Sequence, residues 1–84
     1  MTTPLQDHFV ARARHLEAIE ATHGDDLSPL AWHILDNAYE STLREAAGVS
    51  AACYEAVWAT LFPDVETRTI MRSLRGMYME GGNG

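Results

Sequence analysis

Eighty-four residues make one small domain, and a chain of this length buries only about 60% of the surface its unfolded form exposes. That excludes a dinucleotide-binding Rossmann domain or a closed barrel carrying its own active-site loops, while 46% hydrophobic and 21% charged residues exclude a disordered chain. Twelve acidic residues face six basic ones, all arginine, and the net charge of -6 argues against a generic binder of nucleic acid, which needs cations for the phosphates.

The first helix is expected to start at Thr3-Pro4-Leu5-Gln6. Thr3 can cap, Pro4 suits the first helical position, and Gln6 stands where a capping box places it. Leu5, Phe9, Ala13, Leu16 and Ile19 follow at three- and four-residue steps until Gly24-Asp25-Asp26. Ser28-Pro29 opens a second helix, with Leu27 placed to staple onto Trp32. Its stripe of Ala31, Ile34, Leu35, Ala38, Thr42, Leu43 and Ala46 runs to Gly48, expected to end the helix in the left-handed conformation. Ser50 caps a third helix with Cys53, Tyr54, Val57, Trp58, Leu61 and Phe62 apolar, stopped by Pro63. Asp64 caps a fourth, with Ile70, Met71, Leu74, Met77 and Tyr78 apolar.

No stretch alternates as a half-buried strand does. The expectation is an all-α single domain over residues 1–80, of three or four helices in a bundle or orthogonal cluster, followed by a flexible tail at 81–84. No leader of basic then apolar residues stands at the N-terminus, and the most apolar run, 46–62, holds Glu55 and falls short of the roughly 20 residues that span a bilayer. A lone cysteine, Cys53, excludes an intramolecular disulfide. These features point to a cytoplasmic protein without a membrane partner.

Neither a cofactor, a metal nor a catalytic residue is expected. His8 and His15 lie two helical turns apart, so their rings stand about 10 Å from each other, too far to share one ion. Glu20-Ala21-Thr22-His23 has the Glu-x-x-His spacing of di-iron bundles, but the second such motif they need is missing. Cys53 falls on the apolar face of its helix, where a free thiol is usually a small core hydrophobe.

Thr42 to Ser50, followed by Ala51 to Trp58, carries an Ala-Ala-Gly-Val-Ser turn with Leu43, Ala47, Val49 and Val57 at apolar positions. This stretch resembles the helix-turn-helix of bacterial transcription regulators. The resemblance implies a DNA-binding regulator using residues 42–62, dimeric as such regulators commonly are, with Arg68, Arg72 and Arg75 on phosphates. The sequence departs from the motif at Arg44, where a small residue is usual, and its second helix offers no Arg, Lys, Asn or Gln to read base edges.

Charge is distributed unevenly. Residues 64–84 are neutral, Asp64, Glu66 and Glu80 balancing Arg68, Arg72 and Arg75, so the whole excess lies in the first three helices. Those arginines share one helix side and suit either phosphate contacts or bidentate pairing with carboxylates, the latter being favoured. Arg68, Met71, Arg72, Arg75, Met77 and Tyr78 form the expected protein-binding patch, since Met, aromatics and Arg are enriched in contact surfaces. Glu17, Glu20, Asp25, Asp26, Asp36 and Glu40 form an acidic face that steers a basic partner. The leading expectation is a non-enzymatic regulator or inhibitor, of the size and charge that phages and mobile elements encode, binding a partner protein such as a basic nucleic-acid-binding one. DNA binding is the alternative, and a homodimer is compatible with either.

Overall fold

The computed structural model describes residues 3–81, with side chains described through residue 76. Four α-helices make up the described chain: α1 (Pro4–His23), α2 (Pro29–Val49), α3 (Ala51–Leu61) and α4 (Val65–Gly81), with a short 3-10 turn at Gly24–Asp26. The all-α expectation holds, with no strand among the described residues. No helix among them is long and apolar enough to cross a membrane.

Each helix starts where a capping side chain accepts from a free backbone N–H. Thr3 Oγ1 accepts from Gln6 at 3.1 Å, Ser28 Oγ from Ala31 at 3.1 Å and Ser50 Oγ from Cys53 at 3.1 Å. Asp64 Oδ2 accepts from Thr67 N at 2.8 Å, and these bonds from Thr67 hold the Asp64 carboxyl below its ordinary range. The end of α2 departs from expectation. No described residue, Gly48 included, has a positive φ; α2 continues through Val49 and breaks at Ser50, which is extended at φ -169 and ψ 158. One residue therefore closes one helix and opens the next: Ser50 N–H donates to Ala46 O while its hydroxyl caps α3. A serine in extended conformation turns the chain without the left-handed residue that a glycine stop would use.

The core is a three-helix affair. Phe9 and Ala13 of α1, Leu43 and Ala46 of α2, and Cys53, Val57 and Trp58 of α3 form one buried cluster, with Tyr54, Leu61 and Phe62 packed against it. Ala13, Ala46 and Val57 are fully buried, and small side chains at such contacts let helix axes approach closely. Thr42, equally buried, donates its hydroxyl to Ala38 O at 2.8 Å, so it brings no unmet polar group into the core. Leu16 and Leu35 carry the α1–α2 packing outside this cluster, towards the 3-10 turn.

Several positions of the expected apolar stripes are not covered. Leu5 and Ile34 are exposed, and on α4 so are Ile70, Met71 and Leu74. Helix four is docked the other way round. Arg68, Arg72 and Arg75 are its half-buried residues, and it packs on α3. The radius of gyration is 13.4 Å, against about 12 Å for a compact domain of this length, consistent with a three-helix core plus an appended helix. Met77 and Tyr78 lie outside the residues whose side chains are described, as does the 82–84 part of the expected tail; Gly81 is the last residue of α4.

Candidate functional site

The arginines of α4 turn inward because each finds an acceptor there. Arg72 grips Glu55 of α3 through two bonds of 2.9 and 2.8 Å, and its guanidinium lies over the rings of Tyr54 and Trp58, 5.5 and 5.8 Å from their centroids. Arg75 holds Glu40 of α2 through Nε and Nη2, its Nη2 at 2.9 Å, and this hydrogen bonding raises its pKa above the ordinary arginine value. Arg68 donates to Phe62 O at 3.3 Å. Of the expected binding patch, Arg68, Arg72 and Arg75 are thus engaged within the chain, and Met71 is exposed beside them.

Docked in this way, α4 forms one wall of a groove of about 780 Å³. Leu43, Trp58, Leu61 and Phe62 make its floor, and Met71 and Leu74 line it from α4. The opposite side is α1 and α2, contributing Glu17, Glu20, Asp36, Tyr39 and Glu40. The expected acidic face therefore divides. Glu17, Glu20 and Asp36 line the groove with no ion pair among the described residues; Glu40 is neutralised by Arg75; Asp25 and Asp26 stand exposed in the 3-10 turn, away from the groove.

Tyr39 reports the field of those carboxylates. Its hydroxyl donates to Glu20 Oε2 at 3.4 Å. Burial, then the charges of Glu20, Glu17 and Asp36, push its pKa from the ordinary 10.0 up to about 12. Burial and the adjacent Glu20 also raise Glu17, against a smaller pull from Arg14. The sign for stability follows. A phenol raised on folding contributes stability that is complete below pH 10 and lost as pH rises towards 12. Spectroscopic titration of the phenolates should show that Tyr39→Phe removes a step near pH 12 and that Glu17→Gln/Glu20→Gln moves that step down. A removed step at the ordinary pH would show that the carboxylates do not crowd this ring.

Trp58 adds a second feature of the groove floor. It is only 3% exposed, and its indole N–H is a buried donor with no acceptor among the described residues. Such a group costs about 1–3 kcal/mol when left unmet. A second depression, of about 270 Å³, lies between Leu16, Ile19, Leu27, Ala31, Ile34, Leu35 and Ala38; it shares no residue with the groove and is lined by aliphatic side chains alone.

The other candidates fall elsewhere. Among the described residues no group of three His, Cys, Asp or Glu is arranged to hold a metal ion, and His8, His15, His23 and His33 are exposed. Cys53 is buried at 2% exposure. Within the helix-turn-helix-like stretch, Leu43 and Val57 are buried whereas Ala47 and Val49 are exposed, and Glu55 of its second helix is held by Arg72.

The expected binding patch and acidic face did not include Tyr39, Leu43, Trp58, Leu61 or Phe62, the last four being read as apolar helix positions within the helix-turn-helix-like stretch. The available signal was the spacing of Asp36, Tyr39, Glu40 and Leu43, which share one side of α2 at three- and four-residue steps. Fold and groove together define a small all-α protein with an acid-rimmed apolar groove. Comparison with protein-family models, curated proteins and solved structures finds no match for this chain.

Proposed function

We propose that this chain is a non-enzymatic binding module that engages a protein partner with a basic surface. One observation carries the reading: the arginines of α4 are engaged inside the molecule, while Glu17, Glu20 and Asp36 stand at an open apolar groove with no ion pair among the described residues. Charge of this sign attracts a cationic partner and speeds its encounter, and the apolar floor supplies contact area once it arrives. The exposed Asp25 and Asp26 extend the attracting field beyond the groove. With Arg72 and Arg75 already bidentate on carboxylates, two of the three cations that a DNA-binding reading needs are held elsewhere.

Affinity capture from cells of the native host, run in parallel with the wild-type chain and a Glu17→Gln/Glu20→Gln/Asp25→Asn/Asp26→Asn variant, tests this. The expected result is a partner retained by the first, released by salt and held poorly by the second. Equal retention by both would remove the electrostatic reading. No electrophoretic shift of DNA is expected at low salt, where non-specific binding is strongest. A shift that disappears on replacing Arg68, Arg72 and Arg75 in a still-folded chain would establish the helix-turn-helix reading instead.

A further inference from the structure

We infer that the groove between α4 and the α1–α2 pair receives an amphipathic helix of the partner protein, its apolar face on Leu61, Met71 and Leu74 and its basic side chains on Glu17, Glu20 and Asp36. This inference rests on the protein-binding reading above and names the occupant.

Three observations select that occupant. The floor is apolar, as are Met71 and Leu74 of the α4 wall, whose Arg75 is taken up by Glu40, so they offer an arriving backbone few hydrogen-bond partners. An extended segment would leave its amides unmet there, whereas a helix satisfies its own and presents only side chains. The rim is anionic at Glu17, Glu20 and Asp36, none of them in an ion pair among the described residues, which repels nucleic acid and anionic lipid and matches Lys or Arg. A second copy fits poorly. Its one cationic amphipathic helix, α4, already has Arg72 and Arg75 on Glu55 and Glu40, and two chains of net charge -6 repel each other.

The groove also has a direction. Arg44 lines it eight residues along α2 from Asp36, about 12 Å away along the helix axis, and Arg75 is balanced by Glu40. The cationic end of the bound helix therefore lies towards the α1–α2 turn, and its far end is neutral or acidic beside Arg44. Trp58, with its unmet N–H, lies on the floor that the bound helix covers and supplies the optical readout.

Selection of peptides from a random library displayed against the full chain tests this without knowledge of the natural partner. Enriched sequences should be basic at one end, apolar at helical spacing, and helical when bound. Titration of such a peptide should change Trp58 emission in a Trp32→Phe background. Glu17→Gln/Glu20→Gln/Asp36→Asn should weaken binding about tenfold at low salt and flatten its salt dependence, the sum expected of three exposed pairs. Leu74→Ser, at a wall position already exposed, should weaken it about tenfold at any salt. Leu30→Ser, which lies outside the groove, should leave the affinity unchanged. Neutral or acidic enriched sequences, no enrichment, indifference to the rim and Leu74 variants, or a dimer in sedimentation that covers Leu74 would each overturn the inference. Should the captured host partner remain sensitive to Asp25→Asn/Asp26→Asn in any of these cases, the protein-binding reading survives and only the helix-in-groove assignment falls.

Discussion

Replacing Trp58 with alanine is expected to be the most destabilising single truncation in the core, removing between about a quarter and all of the folding stability at 25 °C. A buried Trp→Ala truncation costs about 3–5 kcal/mol, and a chain of 84 residues has a total stability on the order of 4–13 kcal/mol. The loss concentrates here because the indole joins both parts of the molecule. It sits in the core with Val57 and Leu43, its ring meets those of Tyr54 and Phe62 at centroid distances of 6.3 and 5.7 Å, and Arg72 lies over it from α4. Trp58→Phe should cost far less. It keeps a ring in the cluster and removes the indole donor that has no acceptor, which offsets part of the lost packing. Urea unfolding followed by circular dichroism checks both. An alanine variant within about 1 kcal/mol of wild type would show that the indole is not central to the core.

Removing the two gripping arginines, Arg72→Gln with Arg75→Gln, is expected to release α4 while the three-helix core stays folded. None of the described side chains of α4, residues 65–76, is fully buried, whereas α1, α2 and α3 each contribute buried apolar residues. Its attachment depends on the bidentate Glu55 and Glu40 pairs and on the guanidinium stacked over Tyr54 and Trp58. A free helix of 17 residues is marginal in water, and Gly76 within it weakens it by about 1 kcal/mol relative to Ala. The double variant should therefore lose a share of its helical signal approaching that of α4, and amide protection in 65–81 should collapse. The unfolding midpoint of the core should move little, since neither Arg72 nor Arg75 belongs to the buried cluster of α1, α2 and α3. Gly76→Ala should partly restore the signal, because nothing lies within 4 Å of the added methyl. Hydrogen exchange read by mass spectrometry separates the outcomes. Unchanged protection in α4 would mean that apolar contacts hold it after all.

The two variants also separate roles within the groove. Losing Trp58 should disrupt its floor and weaken the whole fold, whereas losing Arg72 and Arg75 should remove its wall and leave the rim of Glu17, Glu20 and Asp36 standing. A chain with the wall released should still attract a basic partner electrostatically, with the contact area of Met71 and Leu74 lost.

Helix starts were fully legible because each is a local event. Thr3, Ser28, Ser50 and Asp64 meet amides three residues away, and no distant residue has to cooperate. The core faces of α1 and α3 were legible for a related reason: Phe9, Ala13, Cys53, Val57 and Trp58 repeat at helical spacing, and a short chain has one place to bury them. The helix end at Gly48 was misjudged because glycine permits a left-handed residue without requiring one, and Ser50 reached the same turn through extended backbone.

Helix four shows where pattern reading stops. Its apolar positions at Ile70, Met71 and Leu74 suggest a face that the core should cover, yet the neighbouring, arginine-bearing face is the one that docks. Periodicity reveals that a helix has two unlike faces. Which of them meets the body depends on what the body presents, and here that is Glu40, Glu55 and two aromatic rings.

By itself, the amino-acid sequence determined one all-α unit, the starts of its helices, most of its core and the placing of its net negative charge in the first three helices. Those follow from capping, spacing and composition, which act over a few residues or are simple sums. Only the tertiary structure decided that the arginines of α4 are engaged internally, that the acidic residues split between groove, ion pair and turn, and that Tyr39 and Trp58 belong to a groove. Each of these depends on partners distant in sequence, such as Arg75 on Glu40, and on which helix surfaces remain uncovered once the small core is full.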